Sequence, residues 1–294
     1  MNHGVDQLTG EKTGLDLGDL TTYKTFEELE EAYAKQIDHF SDRMVTCITQ
    51  VEKMHELLPT PFLSAVIDDC LTRGMDVTQG GARYNFAGVQ AIQIANVADS
   101  LAAIKLLVYD EKKLSAQELL HALQTNFEDA PLVRTMLLNK VPKYGNDVPW
   151  VDELGAKWVN YFADGLRKYR NGRGGIYQMG LYTVSAHVPM GQNVAASADG
   201  RYARDPLADG GVSAMYGRDV SGPTALLHSV SRLPFEKASN GTLLNMKFLP
   251  QFFKTQTGIV KFTQLLRAVY TAYFTELARD LQDEIIARTT YEAI

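Results

Sequence analysis

The sequence predicts an α/β fold, on three observations. Long stretches place apolar residues at helical spacing, and short strings rich in β-formers are followed by glycine-rich loops. No linker, internal repeat or low-complexity tract divides the 294 residues, so the elements belong to one organisation.

The elements follow in chain order. Residues 1–24 are polar and glycine-containing, an irregular lead-in. From Thr25 the chain reads as helix: Thr25 with Glu28 forms a capping box, and Phe26, Leu29, Tyr33, Ile37, Phe40, Met44 and Ile48 follow the helical period. "PFLSAVIDDCLTRG" predicts a shorter helix that starts on Pro61 and stops at Gly74. "GVQAIQI" predicts a buried strand, and "NVADSLAAIKLLVYD" a helix capped by Asn96. Ser115 and Glu118 open a further capped helix, and residues 149–170 form a longer one that ends at "NGRGG". "YTVSAHVPMG" alternates and reads as a strand followed by a loop. The segment from Gly191 to Pro223 is rich in glycine and aspartate without periodicity, the composition of a long functional or wrapping loop. "TALLHSVSRL" predicts a short helix, "GTLLNMKFL" another buried strand, and Gly258–Thr289 a closing helical stretch.

Composition excludes several function classes. Twenty-nine basic residues against 35 acidic ones, a net charge of −6, give no footprint for nucleic acid or for an anionic membrane surface. No window holds eighteen consecutive apolar residues, and the first residues lack the basic and apolar regions of a signal peptide, so a cytoplasmic protein is expected. Cys47 and Cys70 form neither a C-x-x-C pair nor a disulfide framework. The six histidines are scattered without ligand spacing, so no metal is expected. There is no phosphate loop, no G-x-G-x-x-G and no G-x-S-x-G elbow.

Three loops concentrate glycine with single, unlike polar residues. They are Gly80, Gly81, Arg83, Tyr84 and Asn85; then His187, Pro189 and Gly191; then Asp199, Gly200 and Arg201. Each loop alone is explained equally well by turn chemistry. Together, loops that follow buried strands are where barrel-like α/β enzymes place their sites.

Across these loops the sequence resembles the glycyl radical enzymes. The strings "LLPTPFLSAVIDDCLTRGMDVTQGGARYNFAG", "YTVSAHVPMGQNVAASADGRYARDPLADGGVSAMYG", "NGTLLNMKFLP" and "AYFTELARDLQDEIIART" carry the resemblance, in order and over essentially the whole chain. They look most like the pyruvate formate-lyase-like branch of dehydratases and lyases, and only like its C-terminal part. Pyruvate formate-lyase activity proper, a formate C-acetyltransferase, is the runner-up; "VSAHVPMG" and "NGTLLNMKF" favour the dehydratase branch.

The resemblance implies the C-terminal half of a ten-stranded α/β barrel with surrounding helices. It assigns residues 1–264 to the barrel domain and 265–294 to a remnant of the glycine radical domain. In such enzymes one loop carries a cysteine that becomes a thiyl radical, within a G-C-V-E-like string whose glutamate acts as acid and base. A second loop stores the radical on a glycine in a motif like R-V-x-G-Y-x-x-x-F, and a separate activase installs it with an iron–sulfur cluster and S-adenosylmethionine. The thiyl removes a hydrogen from a substrate carbon, and elimination follows.

Residue by residue, these parts do not reappear. Cys47 in "MVTCITQ" and Cys70 in "IDDCLTR" match no thiyl string. Aligning "YTAYF" places Val269 where the radical glycine belongs, and the strand that precedes the glycine in relatives, a string like "HVQFNVV", has no counterpart before Tyr270. Valine cannot substitute, because the radical is delocalised over both flanking peptides and needs a planar Cα that a β-branched side chain crowds. No catalytic residue and no bound cofactor are therefore expected. The positions that match the family as pocket or radical-loop support are Arg83, Tyr84, Asn85, His187, Met190 and Arg288. The expected partners are a separate N-terminal half or another copy of the chain, with the activase belonging to the parent family. Across the seam, the spacing of Ile259, Phe262, Leu266, Val269 and Tyr273 predicts one continuous helix from about Gly258 to Thr289.

Overall fold

A computed structural model describes residues 2–248 and 250–274. The chain divides into two compact units, Met1–Asn245 and Met246–Ile294.

In the first unit, an N-terminal turn structure with bridges Asn2 to Asp19 and Val5 to Lys12 leads into helix α1, Phe26–His55. Gln36 of α1 pins this lead-in by accepting the Leu15 amide and donating to its carbonyl. Thr25 caps α1 by accepting the Glu28 amide, but Glu28 reaches back to Lys24 rather than Thr25, so the box is displaced by one residue. The helix expected over 61–74 is broken into α2, Pro61–Ala65, and α3, Cys70–Arg73. Asp69 sits in the left-handed region at φ 75° between them, and Ser64 bonds to Asp76 and Val77 instead of continuing the helix.

Strand β1 is Ala87–Gln90, shorter than the expected "GVQAIQI". Gln93 adopts φ 62° and ends the extended run, and helix α4, Ile94–Ala103, begins there. Asn96 is thus inside α4 rather than its cap. Eight of the ten α4 residues are buried, and alanines let the helix lie close against α7, Pro149–Leu166. A Cβ added at Gly155 would come within 3.1 Å of Ile94, so the small residue sets that approach. A π-helical segment, Ile104–Asp110, extends α4. Helix α5, Ala116–Gln124, carries the expected Ser115–Glu118 box in full; α6 is Pro131–Asn139. The core between these helices holds fully enclosed Leu107, Leu119, Leu137, Tyr144, Val151 and Leu166, each aliphatic member worth about 1.5–3 kcal/mol of burial.

Strand β2 is Tyr177–Gly180, pairing in parallel with β1 from Ala87 opposite Tyr177 to Gln90 opposite Gly180. It lies upstream of the expected "YTVSAHVPMG". That string leaves the sheet because the Thr183 amide bonds to Gly210 and Val184 turns to φ 53°; helix α8, His187–Gly191, follows. "GTLLNMKFL" contributes a single parallel bridge, Leu181 to Thr242, rather than a strand, since Leu243 both extends that contact and binds the Val212 amide. Helix α9 is Pro223–Ser231. Among the described residues the architecture is therefore α/β but mostly helical, with a two-stranded sheet.

In the second unit a 3-10 turn, Pro250–Lys254, precedes helix α10, Gln256–Phe274. Phe262 meets Phe248 and Phe253 edge-on, at 5.1 and 5.0 Å between ring centres. The helix runs unbroken through residues 267–271, as the seam spacing predicts; residues 275–294, with the rest of the expected helix, lie outside the described residues.

Candidate functional site

Side chains alternate across a strand, so the register of β1 and β2 separates two faces. Ala87, Val89, Tyr177 and Met179 are buried against the helices. Gly88, Gln90, Gln178 and Gly180 form the other face. Over that face two glycines make room for polar side chains. A Cβ at Gly180 would lie 2.6 Å from the Tyr182 ring, and one at Gly88 would overlap the Asn240 amide. Tyr182 in turn gathers three separate segments: its hydroxyl accepts Nε2 of Gln90 at 3.0 Å and Nδ2 of Asn240 at 3.2 Å. With both amides donating to it, the phenol proton is left to donate outward. The arrangement can hold a hydroxyl or carbonyl oxygen at the carboxyl end of a parallel sheet, where such folds collect ligands.

The residues singled out in the sequence fall elsewhere, at two ends of the sheet. Arg83 pairs with Asp69 through Nε at 3.0 Å and Nη2 at 3.3 Å, which raises its own pKa and holds the Asp69 carboxyl below the usual range. Tyr84 is 69% exposed and stacks on Phe86. Asn85 is buried and donates to the Ala82 carbonyl at 2.9 Å, while its own carbonyl accepts Nδ2 of Asn171 at 2.5 Å. These three precede β1, so roughly 16 Å of extended chain separates Asn85 from Gln90. His187 starts α8 with a buried, unpartnered Nδ1, and Met190 is 44% exposed. Arg288 lies outside the described residues.

Two supports hold the site, and neither was singled out as such. The first is Glu52, buried near the end of α1, which accepts the Gly172 amide at 2.7 Å and pairs with Arg173 at 3.2 Å. Arg173 also donates to the Phe86 carbonyl, so α1 is tied to the segments entering both strands. Gly175 belongs to the same knot, since a Cβ there would overlap the Asn85 carbonyl oxygen. The second is the 194–208 loop. Arg201 donates to the carbonyls of Val194, Ala195, Tyr202 and Asp205, and Asp199 accepts Ser197 Oγ at 2.6 Å. Asn96 reaches this loop from α4, donating to Asp199 at 2.7 Å and accepting the Ala208 amide at 2.9 Å. The third glycine loop is thus a buried clamp. Tyr182, Gln90 and Asn240 escaped the sequence reading because nothing in their local spacing shows that they converge; the nearest signal was Gly88 and Gln90 alternating with apolar Ala87 and Val89 in β1.

Among the described residues no group of His, Cys, Asp and Glu is arranged to hold a metal ion. No helix among them is long and apolar enough to cross a membrane.

Residues 1–191 match the family model described as pyruvate formate lyase-like, and residues 208–292 match the glycine radical model. The chain belongs to the glycyl radical enzyme family. It is 34% identical to (2S)-3-sulfopropanediol dehydratase of Klebsiella oxytoca, over 98% of this chain and 40% of the relative. It is 31% identical to trans-4-hydroxy-L-proline dehydratase of Clostridioides difficile, over 98% of this chain and 41% of that protein. The fold superimposes on the glycerol-bound B12-independent glycerol dehydratase from Clostridium butyricum with a TM-score of 0.85 and 38% identity, covering 92% of this chain and 34% of that one. The chain thus spans about two fifths of the length of the curated relatives it matches. Residue 269, which the sequence resemblance sets opposite the family's radical glycine, is a valine within helical backbone.

Proposed function

We propose that this chain is the C-terminal portion of a glycyl radical dehydratase or lyase and is inert on its own. Its parent chemistry is radical C–H abstraction followed by elimination, carried out in the cytoplasm, and the radical would come from an iron–sulfur, S-adenosylmethionine-dependent activase. The observation that carries this reading is α10, which continues through 267–271 without a loop. A radical glycine must sit on a loop that can reach both an activase and the barrel interior, and a continuous helix at this point provides none. The alignment lengths support it: the 331 positions aligned with the sulfopropanediol dehydratase take in 98% of this 294-residue chain, so the remainder are gaps in this chain. The sheet face of Gly88, Gln90, Gly180 and Tyr182 is assigned to the inside of the ten-stranded barrel. Arg83, Tyr84, Asn85, His187 and Met190 are assigned to loop support, with residues 265–294 as the radical-domain remnant. The test is anaerobic incubation of the purified chain with a reduced activase and S-adenosylmethionine. The expected electron paramagnetic resonance spectrum lacks a glycyl doublet, and a doublet overturns the reading.

A second reading, that the chain completes a barrel with a separately supplied N-terminal half, is favoured by the sheet itself. Among the described residues β1 pairs with β2 alone, which leaves its other edge open. Exposed Leu57, Leu58, Phe62 and Val66, which follow α1, add apolar surface. A stable monomer that binds no hydrophobic dye would count against it.

A further inference from the structure

The apolar stripe of α1 is covered along only part of its length. Phe26, Leu29 and Ala32 are buried, whereas Ile37 and Met44 are half-buried and Phe40 is 46% exposed. A stripe at this spacing is ordinarily packed against another element along its whole length.

Three cavities share Tyr33, and the third lies over the uncovered part. The first, about 460 Å³, lies between Tyr33 of α1, Gln93 and Val97 of α4, and Val194. The second, about 260 Å³, shares Tyr33 and Val97 and reaches Trp158 of α7. The third, about 450 Å³, shares Tyr33 and passes over Ile37, Phe40 and Met44 to Phe162. From Tyr33 to Met44 the groove follows about 16 Å of helix, three turns. It is long and runs along a helix, which suits a packed element better than a compact small molecule.

Behind the first and second cavities, Gln93 and Trp158 each keep an enclosed side-chain nitrogen without a hydrogen-bond partner. Apolar side chains along the floor, from Tyr33 to Met44 with Phe162 opposite, describe a seat for the apolar face of an amphipathic helix.

We propose that this groove seats an amphipathic helix from the part of the family polypeptide that this chain does not span. The proposal rests on the split-barrel reading. The relatives are about two and a half times as long as their matched portion, which is 40% of the sulfopropanediol dehydratase, and the common fold is kept at a TM-score of 0.85. The positions Tyr33, Ile37, Phe40 and Met44 are spaced four, three and four apart, the ridge that a second helix packs into at a shallow crossing angle.

The test co-expresses this chain with a polypeptide comprising the portion of the Clostridioides difficile trans-4-hydroxy-L-proline dehydratase that it does not match. A photo-crosslinking residue, benzoylphenylalanine, replaces Phe40 in one experiment and Leu132, a 78% exposed residue of α6, in another. The expected results are co-purification, a crosslink from position 40 into one helix of the partner, and none from position 132. Phe40→Glu is expected to weaken the pairing at least tenfold and Leu132→Glu to leave it unchanged, with both variants keeping the parent circular dichroism. Pairing that survives Phe40→Glu without a crosslink at 40 overturns the groove assignment but leaves the split barrel standing. Failure of the parent chain to pair removes the split-barrel reading and the groove assignment with it. A crosslink between two copies of this chain assigns the groove to self-association and overturns the proposal.

Discussion

Asp99→Asn is expected to flatten the pH dependence of stability. Asp99 is fully enclosed in α4, and its Oδ1 accepts the Tyr144 amide at 2.7 Å. Burial pushes its pKa from the ordinary 3.8 up to about 7, against the opposing pull of Lys143 and the Tyr144 amide. Because the folded state holds the proton more tightly, stability is fully present below about pH 4. It is lost as pH rises towards 7 and stays flat above that. At about 1.4 kcal/mol per pH unit the complete window amounts to about 4 kcal/mol, of which about 3 kcal/mol falls between pH 4.5 and pH 8. Asparagine keeps the acceptor for Tyr144 and cannot ionise. It also deprives the buried Lys143 amine, which donates to the Leu137 carbonyl at 2.7 Å, of a neighbouring anion, so part of the gain at high pH is offset. Urea unfolding at the two pH values checks this: the parent loses about 3 kcal/mol and the variant less than half of that. Parallel pH profiles for the two proteins would refute the assignment of the buried charge.

Arg173→Ala is expected to destabilise the chain by about 3 kcal/mol, since it leaves the enclosed Glu52 carboxylate with the Gly172 amide as its remaining hydrogen-bond donor; urea melts measure this, and Arg173→Lys should recover part of it. Gly175→Ala is expected to cost about 2–3 kcal/mol or abolish folding, because its Cβ meets the Asn85 carbonyl in a packed knot; soluble yield and melting temperature report it. Cys47 is exposed and Cys70 buried at 2%, so a thiol reagent should modify one cysteine at once and the second only on unfolding.

The helices were legible because their signals are local. Thr25, Pro61, Ser115 and residue 149 mark starts that the structure keeps, whereas α6, which opens on Pro131, was not expected. The strands were misjudged in length and place for a physical reason. "GVQAIQI" and "YTVSAHVPMG" both carry β-formers along their length, but pairing extends over four residues and is cut by positive φ at Gln93 and Val184, which propensity does not reveal. Asn96 looked like a cap because its partners lie more than a hundred residues away. The Tyr182–Gln90–Asn240 cluster joins three segments that only the sheet register brings together. The family itself was legible in long ordered strings, and that judgement needed no geometry.

Asn96 has a consequence for how the chain is made. Its bonds reach forward 103 residues to Asp199 and 112 residues to Ala208. At about 5–20 residues per second of synthesis, the side chain waits about 5–20 seconds for its partners while the rest of α4 can already dock on α7. During that interval an amide destined for burial stays open to water or to a chaperone. A nascent chain stopped before residue 199 should therefore be trapped with its helical layer formed and its clamp loop missing.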